Sequence, residues 1–178
     1  TGVAYNSQIW DPATGAWSAG ASASKPRLYP STAVLLPDAT VLTGGGGVPG
    51  PIKELNAEIY YPPYLYDPSG QPAPRPVLLS APTVVNAGAE PQFVATVADG
   101  NAVSRVTLVH TGSATHSTDV EQRFLDLSFV QNGQTLVINS PNNPNYTIPG
   151  YYMLFVFNFK GVPSEAKIMK VRYAPAGM

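Results

Sequence analysis

The sequence of 178 residues contains no cysteine. That excludes a disulfide, a thiol nucleophile and a thiolate metal site. It says nothing of compartment, because extracellular proteins also do without cysteine. Histidine is almost missing, with 2 copies. Charge is scarce as well: Asp, Glu, Lys and Arg make up 12% of the chain, against a usual ~25%. A net charge of −1 leaves no electrostatic case for nucleic acid or an anionic membrane. Long apolar runs are absent too. The longest, Tyr151 to Phe157, is far too short to span a bilayer. No stretch shows a helical period, no tract is of low complexity, and no signal-peptide pattern is visible. The chain opens at Thr1 without an initiator Met, so it reads as a mature product or as a piece of a longer polypeptide.

What the chain has in quantity is punctuation. Its 19 prolines and 16 glycines are what many short strands and turns require. An apolar fraction of 44% is enough for a real core, and the length fits one domain or a domain plus a fragment. Near the N-terminus Ile9-Trp10-Asp11-Pro12 is echoed by Ile59-Tyr60-Tyr61-Pro62, and each leads into a turn. Between them Ser31 to Leu36, a Pro37-Asp38 turn, Val41-Leu42-Thr43 and Gly44 to Gly47 follow hairpin grammar. A period near 50 with aromatic and glycine signatures is the mark of a kelch propeller blade. The four glycines are no phosphate cradle, because Val48-Pro49-Gly50-Pro51 cannot open the helix that such a loop needs. Close packing of blade strands explains them instead.

A propeller needs at least about four blades of ~40–50 residues. Residues 1–74 supply less than two, so this part is expected to expose strand edges at Gln8–Trp10 and Ser31–Leu36 unless another polypeptide covers them. The prolines of Tyr61 to Pro68 and of Gln71 to Pro76 exclude a central strand and favour an extended linker. The boundary is placed at Arg75. Beyond it come β-type runs at Val77–Ser80, Thr83–Val85, Phe93–Val97 and Val103–His110. Leu125, Leu127 and Phe129 line one face of another strand. Asn132-Gly133 signals a hairpin into Thr135–Asn139, and Met169, Val171 and Tyr173 alternate in the last strand. Tyr151 to Phe157 is apolar on both faces and reads as a central, doubly covered strand. The fold class is therefore all-β: an incomplete kelch β-propeller portion over 1–74, then an immunoglobulin-like sandwich over 75–178.

Both histidines fall in Val106 to Arg123. The stretch begins as a strand, breaks at Gly112 and surrounds His116 with small hydroxylated residues. Such a run builds either a surface turn or a metal or proton-transfer site. His110 shares strand parity with Val106 and Leu108 and reads as structural. His110, His116, Asp119 and Glu121 fit no standard zinc spacing. Asp119 and Glu121 read as solvated carboxylates, since nothing apolar nearby would raise the pKa of one of them. Asn145-Tyr146-Thr147 is a glycosylation sequon.

Gly-Ser-Ala-Thr-His-Ser (Gly112 to Ser117) with Glu-Gln-Arg (Glu121 to Arg123) resembles the galactose oxidase and glyoxal oxidase family. So do Leu35-Leu36-Pro37-Asp38 with its glycine run, Pro149 to Val156, and Gly161-Val162-Pro163-Ser164. The resemblance implies the last blade or so of a seven-bladed kelch propeller, followed by the C-terminal early-set sandwich of a copper radical oxidase. It also implies oxidation of an alcohol or aldehyde with O2, giving hydrogen peroxide. Arg27-Leu28-Tyr29-Pro30-Ser31 matches the family's Tyr-His stretch. By that match Tyr29 is the axial copper ligand that takes the substrate proton, and His116 is the ligand supplied by the sandwich. Pro30 stands where the family has its other histidine and has no donor atom. The cross-linked tyrosine–cysteine pair of the family has no counterpart here.

Besides a free-standing binding sandwich with an N-terminal extension used for oligomerisation, two functional readings follow. In one the chain is the C-terminal part of an extracellular, galactose oxidase-like copper oxidase with a degraded copper site. In the other it is a non-catalytic extracellular protein that keeps the fold for structure, assembly or glycan binding. The partners expected are the rest of the propeller or another copy of the chain, with carbohydrate or a small alcohol or aldehyde as ligand. Nucleic acid is not expected.

Overall fold

The computed structural model describes residues 2–173. Strands β1 (Asn6–Trp10), β2 (Trp17–Ser22), β3 (Ser31–Leu35), β4 (Val41–Gly45) and β5 (Ala57–Tyr60) come first. A 3₁₀ turn at Pro63–Leu65 is the only helical element among the described residues. Then follow β6 (Leu78–Ser80), β7 (Val84–Ala87), β8 (Gln92–Val97), β9 (Arg105–His110) and the two-residue strands β10 (Ala114–Thr115) and β11 (Thr118–Asp119). The chain closes with β12 (Phe124–Leu127), β13 (Phe129–Asn132), β14 (Thr135–Asn139), β15 (Gly150–Phe157) and β16 (Lys167–Tyr173). The all-β expectation holds.

The chain forms two units. The first takes the residues up to Leu36, Thr40–Pro63 and, from the far side of the sequence, Gly112–Val120. The second takes Pro37–Ala39, Tyr64–Thr111 and the chain from Glu121 onward.

In the first unit β1 and β2 form a hairpin and β3, β4 and β5 an antiparallel meander. The β1–β2 turn is set by Asp11. Its carboxylate accepts the Ala13 N–H at 2.9 Å and the Thr14 hydroxyl at 2.9 Å, and these bonds hold its pKa below the ordinary value. At the strand ends Trp10 and Trp17 face each other with ring centroids 6.5 Å apart. Both remain more than half exposed.

The second unit is a sandwich. A five-stranded sheet in the order β12-β9-β15-β16-β7 packs on a four-stranded sheet in the order β13-β14-β8-β6. Every pairing is antiparallel except β16 with β7. Alternation along each strand fills the space between the sheets: Phe93, Ala95 and Val97 from β8, Val106 and Leu108 from β9, Leu136 and Ile138 from β14. Tyr152, Leu154 and Val156 of β15 join that core, and Met153 and Phe155 on its other face are buried as well. The doubly covered central strand expected from its apolar run is therefore present.

Two local expectations need correction. Leu125, Leu127 and Phe129 share a face but not a strand. The chain leaves the five-stranded sheet at Leu127 and enters the four-stranded sheet at Phe129, so strict alternation runs on through a change of sheet. The proline-rich stretch is not simply extended either. Residues 63–72 fold back through the 3₁₀ turn and a Tyr66–Pro72 bridge. The Asp67 carboxylate organises this bend by accepting from Ser69 and Gln71, and these bonds lower its pKa. Downstream, Arg75 donates to the Pro163 and Ser164 carbonyls at 2.8 and 2.7 Å. Proline removes backbone donors without preventing side chains from tying the segment down.

Candidate functional site

The site is built within the first unit, by a short finger and a glycine bed. The finger is the hairpin β10–β11. Thr115 pairs with Thr118, leaving His116 and Ser117 as its two loop residues, both left-handed at φ 50° and 63°. A two-residue loop of this hand matches strand twist but normally uses Asn-Gly. Holding two non-glycine residues there costs about 1–3 kcal/mol each. Neighbouring bonds sustain it: Asp119 accepts the Ser113 N–H at 3.0 Å. Ser117 donates its N–H to the Ser31 carbonyl at 2.6 Å, and the two serine hydroxyls meet at 3.1 Å. The imidazole of His116 is exposed, and its Nδ1 lies 2.7 Å from the Thr115 hydroxyl. Its Nε2 makes no hydrogen bond among the described residues.

Tyr29 sits on the glycine bed. Gly47 donates its N–H to the Tyr29 carbonyl at 3.1 Å. Gly46 lies so close beneath Leu28 that an added Cβ would come within 2.5 Å of the Leu28 carbonyl oxygen. The glycine run thus holds the backbone that presents Tyr29. The expectation of close strand packing is right in kind but missed this role.

One step upstream, Arg27 anchors the same segment. Its guanidinium reaches the Asn56 side chain and Glu58, each at 2.7 Å, as well as the carbonyls of Gly45 and Asn56. Glu58 accepts from the Ser24 hydroxyl and N–H at 2.6 and 2.8 Å. These Ser24 bonds chiefly, with Arg27 assisting, pull its pKa from 4.5 to about 2. Because the folded pKa is the lower one, the stabilisation is complete above the unfolded value and is lost as pH falls from about 4.5 toward 2. Glu58→Gln should therefore lower the urea midpoint at pH 7 and match wild type near pH 2; an equal deficit at both pH values would contradict this.

The two sequence-predicted site residues, remote in the chain, come together. The rings of Tyr29 and His116 lie 5.6 Å apart at 44°. Tyr29 is 67% exposed, and its hydroxyl makes no hydrogen bond among the described residues. Pro30 and His116 line one cleft of about 670 Å³, whose other walls include Leu42, Leu55 and Ala57.

His110 is not part of this group. It ends β9 nearly buried, with Nδ1 2.9 Å from the Thr111 carbonyl and its ring edge-on to Tyr152 at 4.6 Å. Asp119 and Glu121 are not the solvated carboxylates expected. Asp119 closes the finger, and Glu121 is part-buried 3.7 Å from His110 and 3.9 Å from Arg123. Alternation gave no sign of either role.

The donors can be judged against copper, which favours imidazole and oxygen ligands in a tetragonal set. His116 and Tyr29 are right in kind and too few in number. Pro30 adds nothing, and among the described residues no group of three His, Cys, Asp or Glu side chains is placed to hold a metal. The described residues do not by themselves make a complete copper site.

Residues 75–171 match the galactose oxidase-like early set domain. The chain belongs to that family. It is 36% identical over 149 residues to a galactose oxidase of Gibberella zeae, an alignment covering 82% of this chain and 21% of that protein. It is 33% identical over 156 residues to the aldehyde oxidase GLOX of Vitis pseudoreticulata, covering 80% and 29%. A fungal alcohol oxidase of the AA5 family, solved in complex with copper, superposes with a TM-score of 0.85 at 35% identity over 94% of this chain and 36% of that one. The chain thus spans roughly a fifth to a third of the length of these relatives.

Proposed function

We propose that this chain is the C-terminal part of an extracellular copper oxidase acting on an alcohol or aldehyde, with its copper donors reduced to Tyr29 and His116. The observation that carries the reading is the convergence of those two side chains at positions matching the family's ligands. Residues 1–74 are read as the last portion of a kelch propeller. Their exposed Trp10, Trp17, Leu55 and Tyr61 then face the rest of that propeller or another copy of the chain. Copper, where bound, would supply Lewis acidity and one-electron chemistry. Tyr29 and His116 contribute one oxygen and one nitrogen donor, and the phenol takes part only by giving up its proton to the metal.

Copper(II) titration of the whole chain, followed by electron paramagnetic resonance, tests this. Wild type should bind weakly, and His116→Ala should lose what binding there is. Pro30→His, by restoring an imidazole, should tighten binding about tenfold or more. Equal affinity in all three would end the copper reading.

Pro30 itself favours a second reading, a non-catalytic extracellular protein that keeps the fold for structure, assembly or glycan binding. In that case the three titrations coincide.

A further inference from the structure

The sandwich has a cleft of its own, about 750 Å³, lined entirely by residues of the second unit. It forms where residues 88–91, the crossing between β12 and β13, and the loop after β14 meet. We propose that this cleft binds a neutral oligosaccharide.

Charge narrows the ligand first. No Lys, Arg or His lines the cleft, which disfavours phosphorylated, sulfated or uronic acid ligands. Its two carboxylates are already engaged: Glu90 accepts from the Asn86 amide, and Asp126 takes Arg105 through both oxygens. Neither presents an uncompensated charge that would call for a cation. The remaining lining alternates amides and hydroxyls with apolar patches from Ala89, Pro91, Leu125, Leu127 and Pro141, too interrupted by polar groups for a lipid chain.

Position then supplies what a sugar ring needs. Tyr146 lines the cleft yet is 68% exposed, offering a flat face to the C–H side of a pyranose. Its loop is tied by its own hydrogen bonds. The Asn143 carbonyl accepts the Tyr146 and Thr147 N–H groups at 3.1 and 3.0 Å, the Asn143 side chain accepts the Asn145 N–H at 2.9 Å, and Thr147 is buried. Presenting the aromatic therefore costs little ordering entropy on binding. Asn142 is exposed beside it and makes no hydrogen bond among the described residues, leaving both a donor and an acceptor for sugar hydroxyls. Ser140 also lines the cleft, 8% exposed, and its buried hydroxyl makes no hydrogen bond among the described residues.

The proposal rests on the sandwich alone and is independent of Tyr29, His116 and copper. It is tested on the whole chain, made in bacteria so that Asn145 carries no glycan, in metal-free buffer. Cellohexaose, xylohexaose, laminarihexaose and β-1,4-mannohexaose would each be offered at up to about 10 mM. Saturation-transfer NMR should show at least one of them bound. Tyr146→Phe should keep that binding, Tyr146→Ala should weaken it about tenfold or more, and Asn142→Ala about threefold. Melting temperatures of the Tyr146 variants should match wild type, since the side chain is exposed. No binding by any of the four probes, or equal binding by Tyr146→Ala, overturns the proposal.

Discussion

Gly47→Ala is expected to be the most damaging glycine substitution in the first unit, costing about 3 kcal/mol or more. Two terms act together. Gly47 sits at φ 85°, where an L side chain is strained, and its added Cβ would lie 1.9 Å from the Ile52 carbonyl oxygen. That oxygen is backbone and cannot rotate away. Nor can the loop drift freely, because Glu54 donates its N–H to the Gly46 carbonyl at 3.0 Å. The substitution must also disturb the bond from Gly47 to the Tyr29 carbonyl, so amide exchange should speed up around residues 28–31. Two other glycines separate the terms. Gly15 has φ 70° and nothing within 4 Å, so Gly15→Ala should cost about 1–2 kcal/mol from conformation alone. Gly44 has no positive φ and its nearest contact is an ordinary 3.5 Å, so Gly44→Ala should be nearly neutral. Hydrogen exchange and chemical denaturation of the three variants would show this order. A Gly47→Ala protein as stable as Gly15→Ala would mean the glycine bed does not hold Tyr29.

The glycine run also marks where sequence reasoning stopped short. Four glycines followed by Val-Pro-Gly-Pro rule out a phosphate loop, but nothing local says which chain segment will lie against them. The Leu28–Tyr29 backbone arrives from upstream in the sequence, and the carbonyl it offers Gly47 becomes visible only in three dimensions. The finger was similar. Glycine and hydroxylated residues around His116 announced a turn. A left-handed His116 and Ser117, with Ser117 bonded to Ser31, is a long-range arrangement that no spacing rule contains. Arg27 entered only as part of the Tyr-His match, and its pairing with Glu58 joins a loop to a strand remote in sequence, which no local pattern marks. The sandwich was far easier to read. Its strands bury alternate residues against a single core, so Phe93, Ala95 and Val97 or Leu136 and Ile138 declare their face at once. The change of sheet at Ser128 leaves that alternation intact and so leaves no trace in it.

Tyr152→Ala should be the largest single loss in the sandwich, about 3–5 kcal/mol. Tyr152 is fully buried in β15, the strand that pairs with both β9 and β16 at the middle of the five-stranded sheet. Three contributions go with the ring: its burial in the inter-sheet core, its edge contact with His110 at 4.6 Å, and the bond from its hydroxyl to the Ile148 carbonyl at 2.8 Å. The neighbours cannot close the gap cheaply, because Leu154, Val156 and Leu108 beside it are held by sheet register and packed without exposure. Burial also raises the phenol pKa, as expected for a hydroxyl held neutral in an apolar setting. Tyr152→Phe keeps the ring and removes only the hydroxyl, so it should cost about 1–2 kcal/mol, the loss of one bond and an unmet Ile148 carbonyl. For a sandwich of this size about 1 kcal/mol corresponds to roughly 4–8 °C in Tm. The alanine variant should therefore melt far below the phenylalanine one. If both melt within about 2 °C of each other, the aromatic ring is not what holds the centre of the sheet, and the core assigned here to β15 is wrong.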